Sequence, residues 1–327
     1  MSSSSSQFGA VAIGRNEGER FKRCLASLSA AELVVYVDSG STDGSVKWAK
    51  DLGYNVIELG TSIAFTAARA RNAGFIYLRE AAPHIEYVQF VDGDCELIRE
   101  WPSHAISFLK LHQDACASFG RRRERFPDRS IYNRLCDLEW DVPIGEAKAF
   151  GGDVMMRVMA LEGVGGYRDD LIAGEEPELC VRLRAKGWRI WRLDYEMTLH
   201  DAAMTRFSQW WLRNVRSGYA FAQGAHLHGA PPERHWVWES RRALLWGVLL
   251  PFTCVIAIVV FGAWGFAGWL VYPLQMLRRM ISRRGNLRYR FKLSFFELLG
   301  RFPEGLGQLK FIRNRALRRS GRPIEYK

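Results

Sequence analysis

The sequence predicts an α/β fold, a largely parallel sheet with helices on both faces, followed by a helical hairpin in a membrane. Apolar runs of strand length alternate with helical patterns from residue 8 onward. Three of the first four such strands end in polar clusters. A 35-residue stretch, 243–277, carries no charged side chain.

The elements follow in order. "FGAVAIG" (8–14) reads as a buried strand and "GERFKRCLASL" (18–28) as a helix with Phe21, Cys24, Leu25 and Leu28 on one face. "ELVVYVDSG" (32–40) is a second strand, and "TDGSVKWAKDLG" (42–53) is a helix opened by cap-type residues and closed by glycine. "YNVIEL" (54–59) is a third strand, 65–82 a longer helix, and "IEYVQFVDGD" (85–94) a fourth strand. Strands alternating with helices of this length build βαβ units. In open sheets of that kind ligands bind beyond the carboxyl ends of the strands. The clusters "GRNE" (14–17), "DSGSTDG" (38–44) and "DGD" (92–94) are therefore expected to converge.

Asp92 and Asp94 stand two apart, a spacing that on a strand turns both carboxylates to one face. Like charges so placed need a cation, a proton or a solvated bend. A lone DxD is compatible with a polar turn, and the converging clusters favour a site. No GxxxxGK[ST] and no GxGxxG opening the first helix is present, which disfavours an NTPase and a hydride-transferring enzyme.

The formal charge of +11 is localised: fifteen of the 46 Lys/Arg but three of the 35 Asp/Glu lie in 278–327. The rest is near neutral, so a general nucleic-acid surface is not expected. Six scattered cysteines without a CxxC suit reduced thiols. Residues 1–7 have no apolar core of a signal peptide and read as a disordered lead-in.

As one helix, 243–277 would run about 52 Å, against a hydrocarbon core of roughly 30 Å. Two spans of about 17 residues fit, joined through the glycines of "FGAWGFAG". Arg241/Arg242 and Arg278/Arg279 then flank the hairpin on one side, the cytoplasmic one. The expected divisions are a catalytic domain over 8–240, a transmembrane hairpin over 241–280 and a basic amphipathic tail over 281–327. That tail is expected to lie on anionic lipid.

"IGRNEGERFKRCLASL", "VVYVDSGSTDGS", "AARARNAG", "VDGD" and "GEEPELCVRLRAKGW" resemble, in order and spacing, the family 2 glycosyltransferases of GT-A fold. The resemblance covers about residues 8–220. It implies a nucleotide-sugar donor, a divalent metal (Mn²⁺ or Mg²⁺) and inversion at the anomeric carbon. Carried over residue by residue, it implies that Asp94 binds the metal and that Asp92 faces the ribose or shares the metal through water. Asp38 would accept from the base, with Arg15 and Glu17 near base and ribose and Arg71 reaching base or diphosphate. Glu17 equally suits a helix cap, and Arg71 a surface ion pair. Ser39 stands where many members have a second aspartate.

Inversion needs a general base, and Glu176, with Glu175 next, is the expected one. Both also suit a helix N-terminus electrostatically. Asp153 is expected nearer the acceptor. His200 resembles a further metal ligand, though a lone histidine is often structural. Arg213 and Arg216, three apart, suit the donor diphosphate or a phosphate on a lipid acceptor, or a plain surface pair. The Q-x-x-R-W of processive members is absent: Gln209 is followed by Trp-Trp-Leu-Arg-Asn. The expectation is transfer of one sugar from a UDP- or GDP-sugar to an acceptor at the cytoplasmic face of the inner membrane. A lipid-linked glycan of polysaccharide biosynthesis is the expected acceptor. A processive synthase, a nucleotidyltransferase and a non-catalytic nucleotide-sugar-binding scaffold are the alternatives.

Overall fold

The computed structural model describes residues 8–60, 62–63 and 65–318; the expected lead-in 1–7 and the last residues of the tail lie outside these. The chain forms two compact units, one of Met1–Asp128, Cys136–Leu171 and Glu175–Ala203, the other of Arg129–Leu135, Ile172–Gly174 and Met204–Lys327.

The first unit is built on one mixed sheet. Its strands are β1 (Phe8–Gly14), β2 (Leu33–Asp38), β3 (Asn55–Glu58), β4 (Tyr87–Asp92), β5 (Cys95–Leu97), β6 (Ala115–Glu124), β7 (Gly145–Glu146), β8 (Val154–Arg157) and β9 (Arg189–His200). The order is β3-β2-β1-β4-β8-β6-β9-β5, with β7 on β9. The first four strands are parallel, as crossover helices such as Glu19–Ser27 and Ala67–Ala81 require. Their β-branched and aromatic side chains fill both faces: Val11, Val35, Tyr36, Val88 and Phe90 are all fully buried.

Register then positions the chemistry. Gly14 pairs with Asp38 and Ile13 with Asp92, so β2 and β4 end at the same edge of the sheet. Beyond β4 the sheet continues antiparallel through β8. There His200, at the end of β9, lies in register with both Cys95 and Glu124.

In the second unit, the apolar run begins as helix Val237–Leu244, widens to a π-helical turn over Leu245–Leu249 and continues as helix Leu250–Phe261. At Gly262, with φ +58°, it reverses direction. The return arm is a 3₁₀ segment, Gly262–Leu270, then helix Val271–Ile281. The arms touch: Tyr272 Oη donates to the Trp246 carbonyl at 2.7 Å. A Cβ on Gly265 would meet the Ala257 backbone at 2.3 Å, so only glycine allows the close crossing.

The chain after the hairpin is helical and packs on other helices of this unit. Helix Arg301–Ala316 packs backbone to backbone on helix Phe207–His228: a Cβ on Gly218 would lie 2.0 Å from the Glu304 carbonyl, and one on Gly307 2.2 Å from that of Val215. Gln308 is buried, donating to the Gly218 carbonyl and accepting from Ser240. Small residues at these crossings make one face a packing face; Leu306, Leu309 and Ile312 remain exposed. Helix Phe207–His228, placed by sequence in the catalytic domain, therefore groups with the C-terminal helices.

Candidate active site

The carboxyl ends of β1 and β2 are laced together by short polar side chains. Asn16, at φ +56°, accepts from the Thr42 amide, its own amide donates to Ser41 Oγ, and Asp43 accepts from the Gly18 amide. Asp38 is buried, accepting from Tyr36 Oη at 2.6 Å and from the Gly40 and Ser41 amides at 2.8 Å each. These bonds shape the loop that follows β2. Arg15 lies over the Phe65 ring at 5.6 Å, and Glu17 pairs with Arg20 at 2.7 Å.

Strand β4 ends at Asp92, and Gly93 follows with its amide donating to the Ile13 carbonyl. Asp92 lies 2.8 Å from Arg71 and 3.1 Å from Arg122. Burial opposes its charge, but the two guanidiniums outweigh burial and hold its pKa below the usual carboxylate range. Asp94 turns to His200, Oδ2 to Nε2 at 3.2 Å. Behind His200, Glu124 Oε2 stands 3.5 Å from Nδ1 and also accepts from the Ala202 amide. His200 thus stands between two carboxylates.

Arg71 is the hub. It is 2% exposed and, besides Asp92, reaches Glu175 at 3.1 Å and Glu176 at 3.0 Å. Its terminal nitrogens are turned to three carboxylates. Asp153, expected near an acceptor, is fully buried too. It accepts from the Asp92 amide, from Arg122 and from Thr198 Oγ1. It holds Asp92 from behind.

Glu175 and Glu176 open helix Glu175–Ala185. Glu175 is buried, whereas Glu176 keeps 15% of its side chain exposed. Burial, then the neighbouring Glu175, push the Glu176 pKa up to about 7, with Arg71 opposing. A carboxylate so poised is suited to take a proton near neutral pH. Glu178 faces away from Arg71 and pairs with Arg182.

Asp94, Cys95 and His200 offer ligand atoms within 4.8 Å of one another, as do Asp92, Cys95 and Asp153. Burial raises the Cys95 thiol well above its ordinary pKa, so it stays protonated and leaves oxygen and imidazole as the donors. That set fits a hard or borderline divalent cation, Mn²⁺ or Mg²⁺.

Sequence reasoning missed Arg122, Glu124, Asn16, Asp43 and Gly152. Arg122 was hidden in the run "RRRER"; only strand alternation after "ACASFG" singles out an inward arginine there. Gly152 passes directly over Asp92, where a Cβ would lie 2.3 Å from Oδ2 and 2.8 Å from Arg71 Nη2. Gly152→Ala is therefore expected to displace Asp92 and cost about 1–3 kcal/mol, read as a lowered midpoint in thermal unfolding. Arg213 and Arg216 lie on helix Phe207–His228 of the second unit.

Residues 12–151 match the family model described as Glycosyl transferase family 2. The chain is 25% identical over 269 residues to the succinoglycan biosynthesis protein ExoA of Rhizobium meliloti (strain 1021), covering 77% of this chain and 80% of that protein. Among solved structures, the mannosyltransferase PcManGT from Pyrobaculum calidifontis, in complex with GDP-Man and Mn²⁺, superposes with a TM-score of 0.61 at 18% identity. That match covers 92% of this chain and 87% of the other, a similarity of fold.

Proposed function

Because this chain is a glycosyltransferase carrying a family 2 domain of GT-A fold, we propose that it transfers a single sugar from a UDP- or GDP-sugar, with inversion, to an acceptor at a membrane surface. The observation that carries the reading is Glu176. It is a carboxylate with a pKa near 7, joined through Arg71 to Asp92 at the carboxyl end of the sheet.

In this mechanism Glu176 removes the proton of the acceptor hydroxyl as its oxygen attacks the anomeric carbon. The bond from that carbon to the diphosphate breaks on the opposite face, and the nucleoside diphosphate departs with the electron pair. Asp94 and His200 would hold a divalent cation whose charge offsets that of the departing diphosphate. Arg71 and Arg122 fix Asp92, while Asp153 pins its backbone, so the strand-end carboxylates are set before donor binds.

The hairpin, whose sequence is long and apolar enough to cross a membrane, would anchor the enzyme. Arg241, Arg242, Arg278 and Arg279 would then stand on the cytoplasmic side of the inner membrane. That placement suits a lipid-linked acceptor. The similarity to a succinoglycan biosynthesis protein supports a role in polysaccharide assembly.

The test is nucleoside diphosphate release from a panel of UDP- and GDP-sugars by the full chain in detergent, with Mn²⁺ and native membrane lipid. One donor is expected to be turned over. Asp94→Ala is expected to lower turnover at least about a hundredfold, and chelator to match it. Release of pyrophosphate, or turnover indifferent to both Asp94→Ala and chelator, would overturn the reading.

A further inference from the structure

Arginines gather at the root of the hairpin. Arg242 ends helix Val237–Leu244, Arg279 lies in the last turn of the return arm, and Arg301 opens the final helix. The Nε atoms of all three are buried and have no hydrogen-bond partner among the described residues. Among the described residues, Glu297 pairs with Arg279 and Arg283, and Glu304 with Arg301. The final helix meets both arms here: a Cβ on Gly247 would lie 2.0 Å from the Arg301 carbonyl, and Phe302 stacks on Tyr272 with ring centroids 5.5 Å apart.

Guanidinium groups brought together, each with a buried N–H unspent, are costly unless an anion completes them. Their fork geometry matches phosphate oxygens two at a time. The cluster is also continuous with the apolar arms: Trp246 and Tyr272, four residues after Arg242 and seven before Arg279, join the arms. In a membrane-inserted hairpin this is the depth of the headgroups.

We propose that the hairpin root, with Arg242, Arg279 and Arg301 at its centre, is a phosphate-binding site at the level of the lipid headgroups. Its depth, though not its chemistry, rests on the membrane reading above. The chemistry is that of a phosphate monoester or diester, supplied by a lipid headgroup or by free phosphate.

The experiment is native mass spectrometry of the full chain in detergent, titrated separately with dioleoylphosphatidylglycerol, dioleoylglycerol and inorganic phosphate. Wild type is expected to retain the phosphatidylglycerol and not the dioleoylglycerol. Arg242→Gln is expected to weaken that retention about tenfold, while Arg288→Gln, at an exposed arginine outside the cluster, changes it less than about twofold. Saturation by millimolar inorganic phosphate, lost in Arg242→Gln, would support the site with free phosphate as its ligand. Equal retention by wild type and Arg242→Gln, or equal loss in both variants, overturns the proposal in favour of diffuse attraction. A full chain that stays soluble and monodisperse without detergent would instead overturn the membrane reading, leaving the phosphate arm to decide the site.

Discussion

Arg71→Met is expected to destabilise the first unit by about 3–5 kcal/mol, the usual cost of stripping a buried charge of its partner. Arg71 is buried and faces Asp92, Glu175 and Glu176, all between 2.8 and 3.1 Å. Methionine fills the volume but leaves three carboxylates facing one another, with Arg122 the one guanidinium still on Asp92. Two of them would have to bind protons or swing out, and either change disorders the strand-end geometry. Arg71→Lys is expected to recover little, because a single ammonium cannot span three partners as a planar fork does. Urea unfolding of the full chain in detergent, followed by tryptophan fluorescence, checks the stability. A melting midpoint unchanged from wild type would show that the carboxylates are carried by other groups.

Glu176→Gln is expected to lower the rate of sugar transfer by about 10²–10⁴-fold while leaving nucleotide-sugar binding nearly intact. The amide preserves shape but cannot accept the proton. The pH profile sharpens the test. With a pKa near 7, the competent, deprotonated form is populated above that value. Wild-type turnover should thus rise with pH through about 7 and fall close to tenfold per unit below it. The residual activity of Glu176→Gln should show no such limb. Stability runs the opposite way. The folded pKa lies above the ordinary 4.5, so the native state binds the extra proton, and this group's contribution declines as pH rises from about 4.5 to 7. Glu176→Gln removes that penalty and should melt higher than wild type at pH 7.5. Glu175→Gln is the companion: its carboxylate is buried on Arg71, so the pH limb should survive there. Steady-state kinetics between pH 5.5 and 8.5, with calorimetry on the same samples, checks all three.

The two variants also divide what was legible in the chain. Glu176 could be named because "GEEPELC" resembles a local motif of the family, which a short stretch carries by itself. Arg71 could be named as important from "ARNAG", but its direction could not. Two of its partners lie 21 and 104 residues away, and only the fold brings the end of β4 and the start of helix Glu175–Ala185 to helix Ala67–Ala81. Asp153 and Asp38 show the same limit: the sequence marks them as carboxylates near strand ends, and only the fold shows their burial and their partners. The glycines of the last helix look like breaks in an amphipathic pattern. Folded, they are the contact surface against Phe207–His228.

By itself, the sequence determined the alternation of strands and helices, the polar clusters closing three strands, and the long run without charge. These are consequences of side-chain period and hydrophobicity, which a segment carries wherever it is placed. Only the tertiary structure decided which carboxylate meets which guanidinium. It alone joined Asp92 to Arg71 and Asp94 to His200, set Glu124 beside His200, and placed Tyr272 against Trp246. Such choices rest on electrostatic and steric fits between residues tens to hundreds of positions apart, and no local pattern encodes them.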